Sequence, residues 1–333
     1  LSGSLTLNYR PISFDIFTER KMMPRKLNAM VAGGTGYIGS FLIELMRDDD
    51  TFENVFIIDS RFRPELLVGL PPKFHFIQMD IADVDVLRPL LKNIDVMFLL
   101  VAVVEAEKSA QRETFVMETN YDKCRDLIDA CPASTRVVFA STGNVYGGIS
   151  KNENWKNIDE TNPPQAKLPY AISKVAVEKH LAAERKNFTV CRFGTNYGFA
   201  PGIRFNIVTN IFIRRALMGN DLVLHGGGLN FRPNVHVQDA ARGMLHVGLL
   251  PEAEGEIYHI ARQNMSIKEL AETILKFAPQ VNLLTEEREV PFNSYALSSE
   301  KLLATGFEFN WDLESGVEDM FKRFQCLSSP IDL

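Results

Sequence analysis

The sequence predicts a doubly wound α/β fold, a parallel sheet covered on both faces by helices, followed by a smaller mixed α/β C-terminal lobe. Three observations carry this. From Leu27 onward, short apolar runs alternate with longer helical patterns; a glycine-rich turn joins the first run to the first helix; and after about Gly198 the alternation gives way to Pro- and Gly-rich turns. Continuous apolar strands separated by helices need cover on both faces, which only a helix-flanked parallel sheet supplies.

The predicted strands are LNAMVA at Leu27–Ala32, NVFIID at Asn54–Asp59, FHFIQMD at Phe74–Asp80, DVMFLLVA at Asp95–Ala102 and TRVVFAS at Thr135–Ser141. Helices are expected over Tyr37–Arg47, Arg112–Ala130 and Tyr170–Arg185. Beyond Gly198, the turns Ala200-Pro201-Gly202 and Gly226-Gly227-Gly228 stand among helical stretches at Ile203–Leu217 and Ile267–Phe277. The expected division is residues 27–198 for the sheet domain, with 230–262 partly contributing, and 199–330 mainly for the lobe that receives substrate. Residues 1–26 lack a signal-peptide core and carry Met22 and Met23 just before the first strand, so they read as a leader or expression remnant outside the fold.

A hydrophobic content of 46% is enough for one large core or two modest ones. The net charge of -6, with both signs mixed along the chain, argues against nucleic acid or an anionic membrane as partner. No apolar run approaches the roughly 20 residues that span a bilayer, and a cytoplasmic protein is expected. The cysteines at 124, 131, 191 and 326 have no zinc-type spacing and read as free thiols; the histidines form no ligand cluster, so no metal is expected.

Every strand of such a sheet can deliver chemistry at its carboxyl end. The first runs into Gly33-Gly34-Thr35-Gly36-Tyr37-Ile38-Gly39, which opens a helix, so backbone N–H groups there can face phosphate. Asp59 ends the next strand 20 residues past Gly39, where a carboxylate accepts from ribose hydroxyls and repels a 2′-phosphate. NAD is therefore expected in a Rossmann-type site, although Arg61 leaves NADP open. Asp80 is placed either for an adenine amino group or as a cap for the helix beginning near Asp83.

Tyr170 and Lys174 lie four residues apart at the start of a helix and share a face. An ammonium beside a phenol favours phenolate, which makes Tyr170 an acid/base for hydroxyl-to-carbonyl interconversion with its pKa drawn toward neutrality. Lys174 is also expected to hydrogen-bond the nicotinamide ribose. The fifth strand ends in Ser141-Thr142-Gly143-Asn144-Val145-Tyr146-Gly147; Thr142 is expected to relay a proton to Tyr170, with Ser141 closer to the cofactor.

The glycine motif, Asp59, Asp80, Asn120, Ser141-Thr142, Val145-Tyr146-Gly147, Tyr170-x-x-x-Lys174 and Arg192-Phe193-Gly194-Thr195-Asn196-Tyr197-Gly198 together resemble the extended short-chain dehydrogenases, in particular the NAD-dependent epimerase/dehydratase group, over about residues 27 to 325. The resemblance implies NAD contacts by Gly33, Thr35, Gly36, Tyr37, Ile38, Gly39, Asp59, Asp80, Ile81, Val101, Ala102, Asn120, Ser141, Tyr170, Lys174 and Phe193. It further implies a nucleotide-diphosphate sugar held by Thr142, Asn144, Thr195, Arg204, Asn210 and Arg232, with Arg232 on the diphosphate. A homodimer through helices 112–130 and 170–185 is implied as well, although packing on the sheet explains the same residues. Dehydratases of the group carry acidic residues after the strand-end Thr, where this chain has Gly143 and Asn144. Thr195 replaces a diphosphate-binding Asn, and Leu99 replaces a His. His236 reads as a packed residue, and the polar run 151–160 either as a substrate-contacting loop or as an exposed connector.

The expected activity is nucleotide-sugar epimerisation through a transient 4-keto sugar. A 4-dehydrogenase or ketoreductase on the same scaffold and a silent NAD-binding sensor are the alternatives.

Overall fold

The computed structural model describes residues 25–104, 113–290 and 293–326. Seven strands form the main sheet: β1 (Leu27–Ala32), β2 (Phe52–Asp59), β3 (Phe74–Gln78), β4 (Val96–Leu99), β5 (Arg136–Thr142), β6 (Phe188–Phe193) and, from much later in the chain, residues Glu256–Ile260. All pairings in it are parallel, and the last of these strands closes the edge beside β6, giving the order 3-2-1-4-5-6 and then Glu256–Ile260. β4, β5 and β6 are buried almost end to end, as apolar runs with both faces covered must be.

Helices α1 (Tyr37–Arg47), α2 (Val84–Leu91), α3 (Glu113–Met117), α4 (Lys123–Ala130), α5 (Pro169–Glu184), α6 (Val208–Leu217), α7 (Val237–Leu249), α8 (Ile267–Leu275), α9 (Glu300–Leu303) and α10 (Leu313–Arg323) follow in chain order. On one face, Phe41, Leu42 and Met46 of α1 meet Ala240, Met244 and Val247 of α7 over the sheet. On the other, Leu87 and Leu91 of α2, Leu127 and Ile128 of α4, and Val177 and Leu181 of α5 form a second apolar layer. Between α3 and α4 the chain makes a π-helical turn, Glu118–Asp122, where one continuous helix is expected from the sequence.

β7 (Thr195–Tyr197), β8 (Leu222–His225), β9 (Phe231–His236), β10 (Glu256–Ile260), β11 (Gln263–Ser266) and β12 (Leu283–Glu286) complete the strands; β11, β9 and β7 form a small sheet, and β12 pairs with β8. Around them α6, α8 and α10 enclose a separate core of Phe212, Ile213, Leu270, Ile274, Val317 and Met320. The helix expected from Ile203 starts only at Val208, because Pro201-Gly202 and the following residues run as a turn over the glycine loop: a Cβ on Gly202 would lie 2.5 Å from the Gly36 carbonyl oxygen. No helix among the described residues is long and apolar enough to cross a membrane.

Candidate active site

Gly33 leaves β1 at φ +85°, a region that side chains resist, and a Cβ there would sit 3.0 Å from the Val101 nitrogen. Gly39 lies so close to the loop that its Cβ would meet the Gly33 oxygen at 2.5 Å, and Gly36 would meet the same oxygen at 3.1 Å. The turn is thus a backbone cradle at the amino end of α1, the form a pyrophosphate requires. At the end of β2 the Asp59 carboxylate accepts from the backbone N–H of Thr35 at 3.1 Å and of Arg61 at 3.0 Å. These bonds fix its rotamer and join the acidic strand end to the glycine loop.

One cleft gathers Gly33, Gly36, Tyr37, Ile38, Gly39, Ala102, Ser141, Thr142, Asn144, Tyr170, Lys174, Phe193, Thr195 and Arg204, residues scattered over 172 positions (33 to 204) of the chain. Thr142 ends β5; its Oγ1 accepts from the Asn144 N–H at 3.2 Å, and the hydroxyl lies in the same cleft as Tyr170 and acts on its phenol. Tyr170 and Lys174 share the buried face of α5, whose first turn is set by Pro169. Lys174 lies with Nζ 4.6 Å from the Phe139 ring centroid and 6.0 Å from that of Tyr170.

The ionisation expected for Tyr170 is corrected here. Burial pushes the phenol up to about 12, against the opposing effects of Thr142 and the Arg204 charge. Lys174 is drawn down to about 8, chiefly by burial, with Cys124 and Glu178 pulling the other way. Desolvation outweighs proximity because Lys174 stands beneath the ring rather than at the phenolic oxygen.

Several other expected residues lie outside the cleft wall. Asn120, in the π-helical turn, accepts from the Val103 N–H at 2.7 Å and donates to the Val103 carbonyl at 3.0 Å, so it clamps the segment after β4. Asn210 is fully buried; it donates to the Tyr37 hydroxyl at 2.9 Å and accepts from the Gly198 N–H at 3.1 Å, tying the lobe to the glycine loop. Arg232 donates to the Phe231 and Asn293 carbonyls and lies 5.7 Å from the Tyr295 ring. Ile81 belongs to the apolar layer beneath the sheet, and Val101 packs against that layer with its nitrogen against Gly33. Asp80 caps the Ala82 N–H at 2.9 Å and pairs with Lys123 at 2.9 Å; burial opposes its charge, but these bonds win and lower its pKa. The Ser141 hydroxyl is directed to Glu178 rather than into the cleft.

Two cleft residues escape sequence reasoning. Tyr295 is buried, and its hydroxyl donates to Asn144 Oδ1 at 2.7 Å; burial pushes this second phenol up to about 12. Asn196 lines the wall with a buried Oδ1 that has no hydrogen-bond partner. No local pattern marks Tyr295, which arrives through the bridge of Leu297 to Ile158; Asn196 lies one residue past the Thr195 that drew attention. His236 is a packed residue, stacked on Trp311 at 4.4 Å and held near 3 by burial. Among the described residues no group of three or more metal-ligating side chains is assembled.

Fold and cleft together define a class first: an extended short-chain dehydrogenase/reductase, with a dinucleotide cradle facing a hydroxyl, phenol and amine set. Residues 29–261 match the NAD-dependent epimerase/dehydratase family, and the chain belongs to it; it is an NAD-dependent enzyme. The UDP-N-acetyl-alpha-D-glucosaminuronate decarboxylase of Bacillus cytotoxicus is 28% identical over 295 residues, 85% of this chain and 87% of that protein. The dTDP-glucose 4,6-dehydratase DesIV of Streptomyces venezuelae, solved with NAD, superposes with a TM-score of 0.77 at 25% identity, covering 92% of this chain and all of that one. The UDP-glucose 4-epimerase of Thermotoga maritima, solved with UDP-glucose, has a TM-score of 0.77 at 22% identity, over 90% of this chain and 99% of the other. These relatives perform different reactions on one scaffold.

Proposed function

We propose that the enzyme is a nucleotide-sugar epimerase acting through a transient 4-keto sugar. The observation that carries this reading is the wall beside Thr142. A Cβ on Gly143 would lie 2.9 Å from Leu297 Cδ1 and 3.0 Å from Tyr295 Cε2, so a side chain there would have to displace both, and the next residue is an amide held by Tyr295. Among the described residues the cleft lining contains no carboxylate. Elimination of water needs a base for the carbon-bound proton in addition to the hydroxyl relay, a place that dehydratases of the group fill with an acidic residue; oxidation and reduction at a carbinol carbon need only the relay.

Bound NAD supplies the reversible hydride acceptor. The chain's own residues do the remainder. Thr142 orients the sugar hydroxyl and relays its proton to Tyr170, while the Arg204 charge favours the phenol's anion against its burial. Arg204, at the mouth of the same cleft, also offers a guanidinium to an anionic substrate. The relatives' substrates, all sugar nucleotides by name, support the substrate class. A homodimer is part of the proposal, resting on Phe115 and Ile172, which are 47% and 40% exposed on α3 and α5.

The test is incubation of the full chain with UDP-, GDP-, dTDP- and CDP-sugars and NAD, with reduced nicotinamide followed by absorbance and sugars by chromatography. Stereoisomers without lasting NADH are expected. Stoichiometric NADH with a keto-sugar, or a dehydrated product, overturns the reading.

A further inference from the structure

Below the cleft, the buried face of α5 continues from Tyr170 and Lys174 to Glu178, one turn further on, and all three are less than a tenth exposed. Glu178 is a buried carboxylate that the reaction described above does not use. Its Oε1 accepts from the Ser141 hydroxyl and, at 3.1 Å, from Arg192 Nε; its Oε2 accepts from the Arg192 guanidinium at 2.6 Å. Arg192 in turn donates to the Tyr146 hydroxyl, which lies 2.9 Å from His259 Nε2, and the His259 backbone N–H donates to Glu160 at 2.7 Å. A chain of buried polar contacts therefore runs from the residue next to Thr142, through β6 and β10, to the segment near Asp159.

Burying two charges is costly, and apolar replacements of matching volume are often no less stable. Sheet packing alone therefore does not call for this pair. Its location suggests another use. The groups facing Lys174 are the Phe139 ring from β5, the Tyr170 ring and Glu178 from its own helix, and the Cys124 thiol from α4. Cys124 is buried, and its pKa is pushed up to about 11, so at neutral pH Glu178 is the anion beside the lysine.

We propose that Glu178 is a positioning residue: one turn along the buried face of α5 and clamped by Arg192 and Ser141, its carboxylate holds the charge of Lys174. Without it, Lys174 sits on an aromatic ring in an apolar layer and gives up its proton more readily. Arg192 tempers the effect by partly neutralising the carboxylate, so the two partners act on Lys174 with opposite signs. The link to turnover rests on the function proposed above, but the protonation of Lys174 does not.

The experiment labels the full chain with lysine enriched in 13C at Cε and follows the Lys174 resonance, assigned by its loss in Lys174→Met, from pH 6 to pH 11. Glu178→Gln is expected to lower the midpoint by about one pH unit and Arg192→Met to raise it, since a nearby opposite charge favours the ammonium and a nearby like charge disfavours it. The double variant falls between Glu178→Gln and the unsubstituted chain. A generally loosened site moves both single variants the same way, and that result, or no movement in Glu178→Gln, overturns the assignment. If a single variant fails to fold, the neutral double variant decides: a lowered midpoint supports the proposal, and an unmoved or raised one overturns it. Failure of the sugar panel with these shifts intact defeats only the function proposed for the cleft.

Discussion

Gly143→Ala tests whether the wall beside Thr142 is filled. The added methyl meets Leu297 Cδ1 at 2.9 Å, Tyr295 Cε2 at 3.0 Å and the Phe193 oxygen at 3.2 Å. Comfortable carbon separations are about 3.5–4.0 Å, so the neighbours must retreat by roughly 0.5–1 Å. Tyr295 is held by its 2.7 Å bond to Asn144, and Leu297 by the bond from its N–H to Asn264 at 2.9 Å. Overpacking of this kind costs about 1–3 kcal/mol, offset by about 0.4–1 kcal/mol from the stiffer unfolded chain, leaving a net loss of about 1–2 kcal/mol. Leu297→Ala alone loses about 2–4 kcal/mol as a buried truncation. In the double variant the methyl moves into the space Leu297 vacated, so the two losses do not add; a favourable coupling of about 1 kcal/mol or more is expected. Urea denaturation of the four proteins measures it. Additive losses, or a Gly143→Ala protein as stable as its parent, refute the claim that this space is occupied and remove the main support for excluding elimination.

Three other outcomes follow from the site. Tyr170→Phe keeps the cradle and Asp59 intact, so NAD binding by calorimetry stays within about twofold while turnover falls by about 10²–10⁴. Lys174→Met removes a buried ammonium: with a folded pKa of about 8 below an ordinary 10.5, the penalty is complete below pH 8 and disappears above about 10.5. The parent therefore gains stability on Lys174→Met as pH rises through that window, and at pH 7 the variant is more stable by roughly 3 kcal/mol, readable by denaturant midpoints at several pH values. Phe115→Lys with Ile172→Lys places charge on the exposed apolar faces of α3 and α5 and is expected to give monomers by light scattering where the parent gives dimers; an unchanged mass rules out this interface.

What the sequence discloses is local or periodic. The glycine loop, Asp59, and Tyr170 with Lys174 each depend on a strand end or one helical turn; the structure brings the loop, Tyr170 and Lys174 together in one cleft with Thr142 and ties Asp59 to the loop through Thr35. What it hides is distant or environmental. Tyr295 comes to Asn144 across 151 positions through a single β-bridge, and nothing in its neighbourhood signals this. Asn120 and Asn210 have the residue type of ligand contacts, and their amides are engaged by Val103, Tyr37 and Gly198, which no local pattern reports. The sign of the Tyr170 shift is not legible in the sequence, because four-residue spacing reports proximity while desolvation depends on what the whole sheet places around the phenol.

The edge strand Glu256–Ile260 has a consequence for biogenesis. It pairs with β6, whose own residues were made more than sixty positions earlier, and β7, α6, β8, β9 and α7 lie between them. A ribosome that has released residues up to Gly198 has therefore produced a sheet with Thr189–Phe193 as a bare apolar edge, open to a neighbouring nascent chain. A chain ending at that point would keep this edge unpaired. The chain from β7 to α7 must emerge and Glu256–Ile260 return before the older half is sealed, which makes this a slow, long-range closure.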